Sequence, residues 1–162
     1  MSEQKPPWIW QKTAMGTFVD HKIIFTGEFD ESWYQGRGVF GGLTAAVILQ
    51  AMIELEPHRP PRTFTLHCLA PVLAKRGEVR VTCERRGAKV NHLSARLLQE
   101  GGKTVALASA SFGEARTYQS IRPSLAAPKA PRPNQVEEVP KDLPMMPSFC
   151  QYFSYRFCLD GI

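Results

Sequence analysis

One junction narrows the possible folds more than any other feature. Residues 36–42, Gly-Arg-Gly-Val-Phe-Gly-Gly, run directly into Leu43-Thr-Ala-Ala-Val-Ile-Leu-Gln-Ala-Met-Ile53. A glycine-rich turn feeds an apolar helix, and the chain beyond the helix reads as strands and turns. As a bare pattern, Gly36-x-Gly38-x-x-Gly41 matches the G-x-G-x-x-G of dinucleotide-binding turns. Its surroundings do not match. That motif needs a preceding strand, a following helix and a second strand with an acidic residue about 20 positions on. Glu54 and Glu56 fall near that distance but at the helix end, and the next strand, Arg62 to Val72, has no carboxylate. A doubly wound sheet also needs helices between its strands. After Glu56 the chain offers only strands and turns, which sets a dinucleotide-binding sheet aside.

The helix is expected from about Gly41 to Glu56, with Pro57 as its stop. Leu43, Ala46, Val47, Ile48, Leu49, Met52, Ile53 and Leu55 make it apolar almost all round, broken by Thr44, Gln50 and Glu54. Such a helix is buried on most sides and too short to span a bilayer, so a sheet must wrap it. Strands are expected at His21 to Glu28, Arg62 to Val72, Glu78 to Arg86, Val90 to Gln99 and Thr104 to Phe112. Glu100-Gly101-Gly102-Lys103 is a tight hairpin turn. Ala106, Ala108 and Ala110 share one face, small enough for a helix to approach closely. A hairpin turning at Lys75-Arg76 would set Val72 opposite Val79, Ala70 opposite Val81 and Cys68 opposite Cys83. That register keeps the apolar members on one face. It also makes Cys68 and Cys83 cross-strand neighbours, in a geometry poorly suited to a bridge, and places His67 opposite Glu84 as a cross-strand pair.

The chain divides by composition into a leader over 1–20, an ordered domain over 21–116, a linker over 117–148 and an aromatic strand from Phe149 to Leu159. The linker holds seven of the thirteen prolines and has little periodicity. With 162 residues, 43% hydrophobic and 22% charged, the chain suits one globular domain. The net charge of +5 is scattered, which fits solubility and a weak pull on anionic ligands better than nucleic-acid binding. The first residues lack the apolar core of a signal peptide, and Cys68, Cys83, Cys150 and Cys158 show neither C-x-x-C pairing nor zinc spacing. A cytoplasmic protein with reduced thiols, no metal, no cofactor and no membrane span is expected.

This order of parts resembles the N-terminal half of the double-hotdog, type II acyl-CoA thioesterase family. The carrying residues are Trp33 with the Gly36–Gly42 run, Thr63-Phe-Thr-Leu-His-Cys-Leu-Ala-Pro71, Val81-Thr-Cys-Glu-Arg-Arg-Gly87, Leu93-Ser-Ala-Arg-Leu97 and Ala106-Leu-Ala-Ser-Ala-Ser-Phe112. The resemblance covers about residues 20–116, with Phe149 onward like the first strand of a second hotdog that this chain truncates. It implies an α+β hotdog fold, an antiparallel sheet wrapped around one long buried helix. It implies fatty acyl-CoA as substrate, hydrolysis to fatty acid and CoA, and a second hotdog unit as partner, from the same chain or from a second copy. The alternative is a non-catalytic acyl-binding or dimerisation module using the same surfaces.

The candidate site is set by the helix start. Unpaired backbone N–H groups and the positive end of the dipole gather there, suited to a thioester carbonyl that gains negative charge as water adds. Gly41 and Gly42 would let that carbonyl come close, or would let the helix pack on its sheet; both readings stay open. The resembling enzymes keep an Asp, a Thr or Ser and a Gln in the second half, and the matching positions here, Thr63, Glu84 and Phe112, do not reproduce the set. Single-hotdog relatives carry a helix carboxylate about two turns past the glycine, where this chain has Gln50. That amide would orient a water or satisfy a buried polar contact, and Glu54 would reach the surface. Arg85, Arg86 and Lys89 cluster at a turn and could meet the phosphates of CoA, or simply be solvated. His92, Ser109 and Ser111 lack the partners of a nucleophilic triad.

Overall fold

A computed structural model describes residues 11–14, 22–117, 126, 129–141 and 143–158. Its elements are β1 (Gln11–Ala14), β2 (Lys22–Glu28), β3 (Tyr34–Gln35), β4 (Gly38–Val39), α1 (Gly41–Leu55), β5 (Pro61–Cys68), β6 (Arg76–Arg85), β7 (Val90–Gln99) and β8 (Lys103–Gly113). Six strands form one antiparallel sheet in the order β1-β2-β6-β7-β8-β5, and β3 with β4 makes a small separate ladder. The expected helix and all five strands expected between His21 and Phe112 are present, as α1, β2, β5, β6, β7 and β8, with ends shifted by a few residues. His21, the first residue of the expected β2, lies outside the described residues, as does most of the leader. The leader still supplies an element that composition did not suggest: β1, which pairs with β2.

Alternation decides which face is buried. Ile23, Val81, Ala95, Ala108 and Leu66 are successive ladder partners across five strands, and Phe25, Val79, Leu97, Ala106 and Cys68 form the next row. Most of these are core residues, and α1 lies on them through Thr44, Val47, Ile48, Ala51, Met52 and Leu55. The alanines of β7 and β8 give the helix room to sit close. On the other face, Lys22, Thr82, Ser94, Ser109 and Thr65 form a polar row across the same strands. The β7–β8 turn is the expected one, with Glu100, Gly101 and Gly102 all at positive φ. The helix is less enclosed than its composition suggests. Gly42, Ala46, Gln50 and Glu54 are exposed along its outer side.

The β5–β6 hairpin does not exist. β5 pairs with β8 at the edge of the sheet, and β6 lies between β2 and β7. Val72–Val79, Ala70–Val81 and Cys68–Cys83 are therefore not cross-strand pairs, and His67 faces Leu107 rather than Glu84. Cys68 and Cys83 sit on strands three steps apart, about 14 Å at the usual strand spacing, well beyond the reach of a bridge; both thiols are free. The physical reason lies in residues 69–75, which cross the end of the sheet instead of turning back. Leu69 and Ala70 donate to the Val105 carbonyl of β8, the Gln99 amide of β7 holds Leu73 by its N–H (2.9 Å) and carbonyl (3.0 Å), and Phe29 donates to the Lys75 carbonyl. Pro71 has no N–H for a ladder, and Val39 donates to the Val72 carbonyl at 2.8 Å, tying the crossover to the chain just before α1.

The aromatic run near the C-terminus is not a strand among the described residues. Ser148–Tyr152 is a 3-10 turn, and 153–158 forms no strand, though Val139 donates to the Tyr155 carbonyl at 2.8 Å. Residues 159–162, including the expected end at Leu159, lie outside the described residues.

Candidate functional site

The helix start is built by the turn that precedes it. A 3-10 turn, Glu31–Trp33, is capped by Asp30, whose carboxylate accepts from the Ser32 N–H at 2.8 Å. Hydrogen bonds from Ser32 hold that carboxyl below the usual carboxylate range. Phe40 donates to the Trp33 carbonyl at 2.7 Å, and its own carbonyl accepts the first helical bonds, from Leu43 and Thr44. Gly41 and Gly42 are thus the first residues of α1, and their N–H groups find no partner among the described residues. The helix begins without a side-chain cap, which leaves those donors for a ligand.

The two glycines differ. A Cβ on Gly41 would meet nothing within 4 Å. A Cβ on Gly42 would come within 2.3 Å of the Phe40 ring, which folds back across it. Gly42 therefore makes room for an aromatic ring of its own chain, and Gly41 is the position with open space beside the donors. Phe40 is fixed in turn by the C-terminal segment. Its ring stacks on Phe149 with centroids 4.2 Å apart, and Trp33 stacks on Tyr152 at 4.2 Å, with Phe153 edge-on to Trp33, Phe40 and Phe149. Ser32 Oγ meets the Tyr152 hydroxyl at 2.6 Å. The aromatic content of Phe149–Phe153 was visible in sequence, but nothing local said that it would fold against the helix start.

Gln50 lies two turns along the exposed side of α1. Its Nε2 donates to Glu54 Oε1 at 3.3 Å, and both residues are exposed, so the reading of Gln50 as satisfying a buried polar contact is corrected. Glu54 reaches the surface as expected. The positions compared with the catalytic set of the second half do not gather here. Thr63 Oγ1 is 2.6 Å from Ser111 Oγ on the polar face, Glu84 accepts from the Ser94 hydroxyl on that same face, and Phe112 is a core residue.

Arg85, Arg86 and Lys89 are exposed, but at the other end of the helix. There Asn91 donates to the buried carboxylate of Glu56, the C-cap of α1, at 2.6 Å, and accepts from the Gly87 N–H at 3.0 Å. Arg59 adds bonds to the Gly87 and Ala88 carbonyls. A helix of this length is about 22 Å long. Within this chain, Gly41 and Gly42 are therefore not brought together with the three cations. The Glu56–Asn91–Gly87 link was not foreseen; an Asn opening a strand just past a glycine turn was its one signal.

A family model described as acyl-CoA thioesterase N-terminal domain matches residues 29–113, from the residue before the Asp30 cap to the end of β8. The chain belongs to this family. Its fold is the hotdog fold, α+β, with the antiparallel sheet laid against α1. The thioesterase domain is similar to a hot dog fold protein of unknown function from Alicyclobacillus acidocaldarius (TM-score 0.73, 27% identity), covering 82% of this chain and 49% of that one. It is similar in fold to a Thermobifida fusca protein provisionally described as a thioesterase II (TM-score 0.63, 19% identity), covering 74% of this chain and 44% of that one. A thioesterase from Haemophilus influenzae aligns over 64% of this chain and 76% of its own (TM-score 0.57, 17% identity). The domain thus spans about half the length of the first two. No curated protein sequence matches. Among the described residues, no helix is long and apolar enough to cross a membrane.

Proposed function

We propose that this chain is one hotdog unit of a paired acyl-CoA thioesterase, hydrolysing fatty acyl-CoA to fatty acid and CoA. The observation that carries this reading is the pair of unpartnered N–H groups at Gly41 and Gly42, opening a 15-residue helix in a chain of the acyl-CoA thioesterase family. A thioester carbonyl seated there has its developing negative charge met by fixed donors and by the helix dipole as water adds. Collapse of the tetrahedral adduct breaks the C–S bond and releases CoA as its thiol. Gln50 orients water rather than removing its proton, since an amide has no useful basicity. The second unit brings the base. Two features support pairing. The edge strand β5 has no neighbour on its outer side among the described residues, and the chain covers close to half of two structures of similar fold.

A second reading, a non-catalytic acyl-binding or pairing module, draws on the helix position that holds Gln50 hydrogen-bonded to Glu54 in place of a free carboxylate. Thiol release from medium- and long-chain acyl-CoA separates the two readings. Turnover that falls when Gly41→Val blocks the open approach supports the hydrolase. Acyl-CoA binding with no thiol release, in an assembly whose second hotdog unit carries the base, supports the module.

A further inference from the structure

The described part of residues 133–158 is braced against itself. Among the described residues its backbone hydrogen bonds stay within it: Val139 donates to the Tyr155 carbonyl at 2.8 Å, Cys150 to the Pro147 carbonyl at 2.9 Å and Phe153 to the Cys150 carbonyl at 3.1 Å. Glu138 ties its two arms together, accepting from the Ser154 hydroxyl at 2.9 Å and from Arg156 at 2.8 Å. Its grip on the hotdog domain is of another kind. Rings make it, Phe149 on Phe40 and Tyr152 on Trp33, and the polar ties among the described residues all go to Ser32. The Tyr152 hydroxyl meets Ser32 Oγ, and Gln151 Nε2 donates to the Ser32 carbonyl at 3.3 Å. Among the described residues, no bond between main chains has to break for this piece to leave. Tyr152 and Phe153 remain 40% exposed while docked.

What the grip controls is one ring. The Phe40 ring lies over Gly42, where a Cβ would collide with it, and Phe149 and Phe153 hold it there, one face to face and one edge-on. In the same helical turn, Thr44 Oγ1 is buried with no hydrogen-bond partner among the described residues. Helical Cα–Cβ bonds tilt toward the N-terminus, so this hydroxyl leans back toward Gly41. A buried hydroxyl left unpaired is a standing cost. The docked state thus crowds the helix start with apolar rings and leaves a polar group beside it unmet. We infer that residues 133–158 are a latch that closes the helix start, and that a long-chain acyl ligand enters when the latch lifts and frees the Phe40 ring. The inference rests on the acyl-CoA reading above and adds regulation of that same site. A ligand that binds only the open state has its affinity reduced by the fraction open. Loosening the latch should therefore tighten binding, although the same change weakens the fold. A tail that only fills space gives no such gain.

The test is equilibrium binding of S-hexadecyl-CoA, a thioether with no bond to hydrolyse, to the whole chain, read together with amide exchange over 148–158. Phe149→Ala removes one aromatic pair and should bind about two- to tenfold more tightly than the parent. Tyr152→Phe keeps its ring on Trp33, loses the Ser32 bond and should bind about twofold more tightly; it decides the matter if Phe149→Ala does not fold. Phe157→Ala is the control, exposed and outside the ring cluster, and should bind as the parent does. Saturating ligand should speed exchange over 148–158. Unchanged or weaker binding in Tyr152→Phe, equal tightening in the control, or exchange over 148–158 that is unchanged or slowed by ligand overturns the inference. So does a lack of binding in the parent and in both latch variants. Thiol release from hexadecanoyl-CoA, in an assembly whose second hotdog unit carries the base, separates the latch from the reading beneath it. Latch-dependent binding without thiol release supports the latch and contradicts the thioesterase. Thiol release with an unchanged KM in both latch variants supports the thioesterase and contradicts the latch.

Discussion

Gly41 and Gly42 are adjacent, identical in type and different in what they permit. Replacing Gly42 with Ala forces the Phe40 ring off its place over the helix start, against its stacking on Phe149. Overpacking of this kind costs about 1–3 kcal/mol. Gly41→Ala has open space and exchanges glycine for a better helix former, so its stability should change by no more than about 0.5–1 kcal/mol, in the stabilising direction. Urea midpoints of the two variants check this, and equal destabilisation would contradict the distinction. Sequence alone left both glycines with both roles, because a ring from residue 40 lying over residue 42 is a rotamer choice that no spacing rule encodes. At the other end, Asn91→Ala strands the buried Glu56 carboxylate and should cost about 2–3 kcal/mol, whereas Glu56→Gln keeps an acceptor for Asn91 and should cost less; chemical denaturation orders the two. Asp30 adds a pH signature. Its carboxyl is lowered by Ser32, so its contribution to stability is present above the ordinary carboxylate range and is lost as pH falls through the folded value. Asp30→Asn should flatten the acid side of the stability profile, and an unchanged profile would contradict this.

Elements with strong local signals were legible in the sequence. The β6, β7 and β8 alternation, the glycine turn at Gly101-Gly102 and the apolar helix ending before Pro57 all stand where periodicity placed them. What periodicity missed is which strand lies beside which. A hairpin between β5 and β6 satisfies the apolar alternation as well as the true arrangement does, because both put Phe64, Leu66 and Val79 on the helix side. The decision is made by residues 69–75, where Gln99 and Val105 capture a crossing chain, and those are long-range contacts. The aromatic tail failed for a related reason. An alternating aromatic run fits a strand, but Phe149 and Tyr152 stack on rings beside the helix start instead, contacts more than 100 residues apart in sequence that no local pattern encodes. Phe149→Ala should therefore cost about 3 kcal/mol, in the range for a buried aromatic, and should speed amide exchange in the first turn of α1. Stability and exchange both unchanged would show that the tail merely rests there.

For the whole molecule, the proposed pairing ties the β5 edge to the amide, in place of a free carboxylate, at Gln50. The β5 edge is long, lies opposite an otherwise complete ladder, and has exposed Leu69 just beyond its end. An edge with no outer neighbour among the described residues can recruit another strand, and the proposed second hotdog unit would both fill it and supply the base. Leu69→Lys places a charge beside that edge and should shift the sedimenting species toward monomer, while leaving the far end of the sheet and its arginines intact. The decisive observation joins assembly to chemistry: sedimentation of the 162-residue chain together with thiol release from medium- and long-chain acyl-CoA on the same sample. A paired-hotdog thioesterase with its base in the second unit predicts that the chain self-associates and releases thiol weakly or not at all. A stable monomer with vigorous turnover would contradict it, and would make Gln50 and Glu54, side by side on the open face of the helix, the residues that carry the reaction.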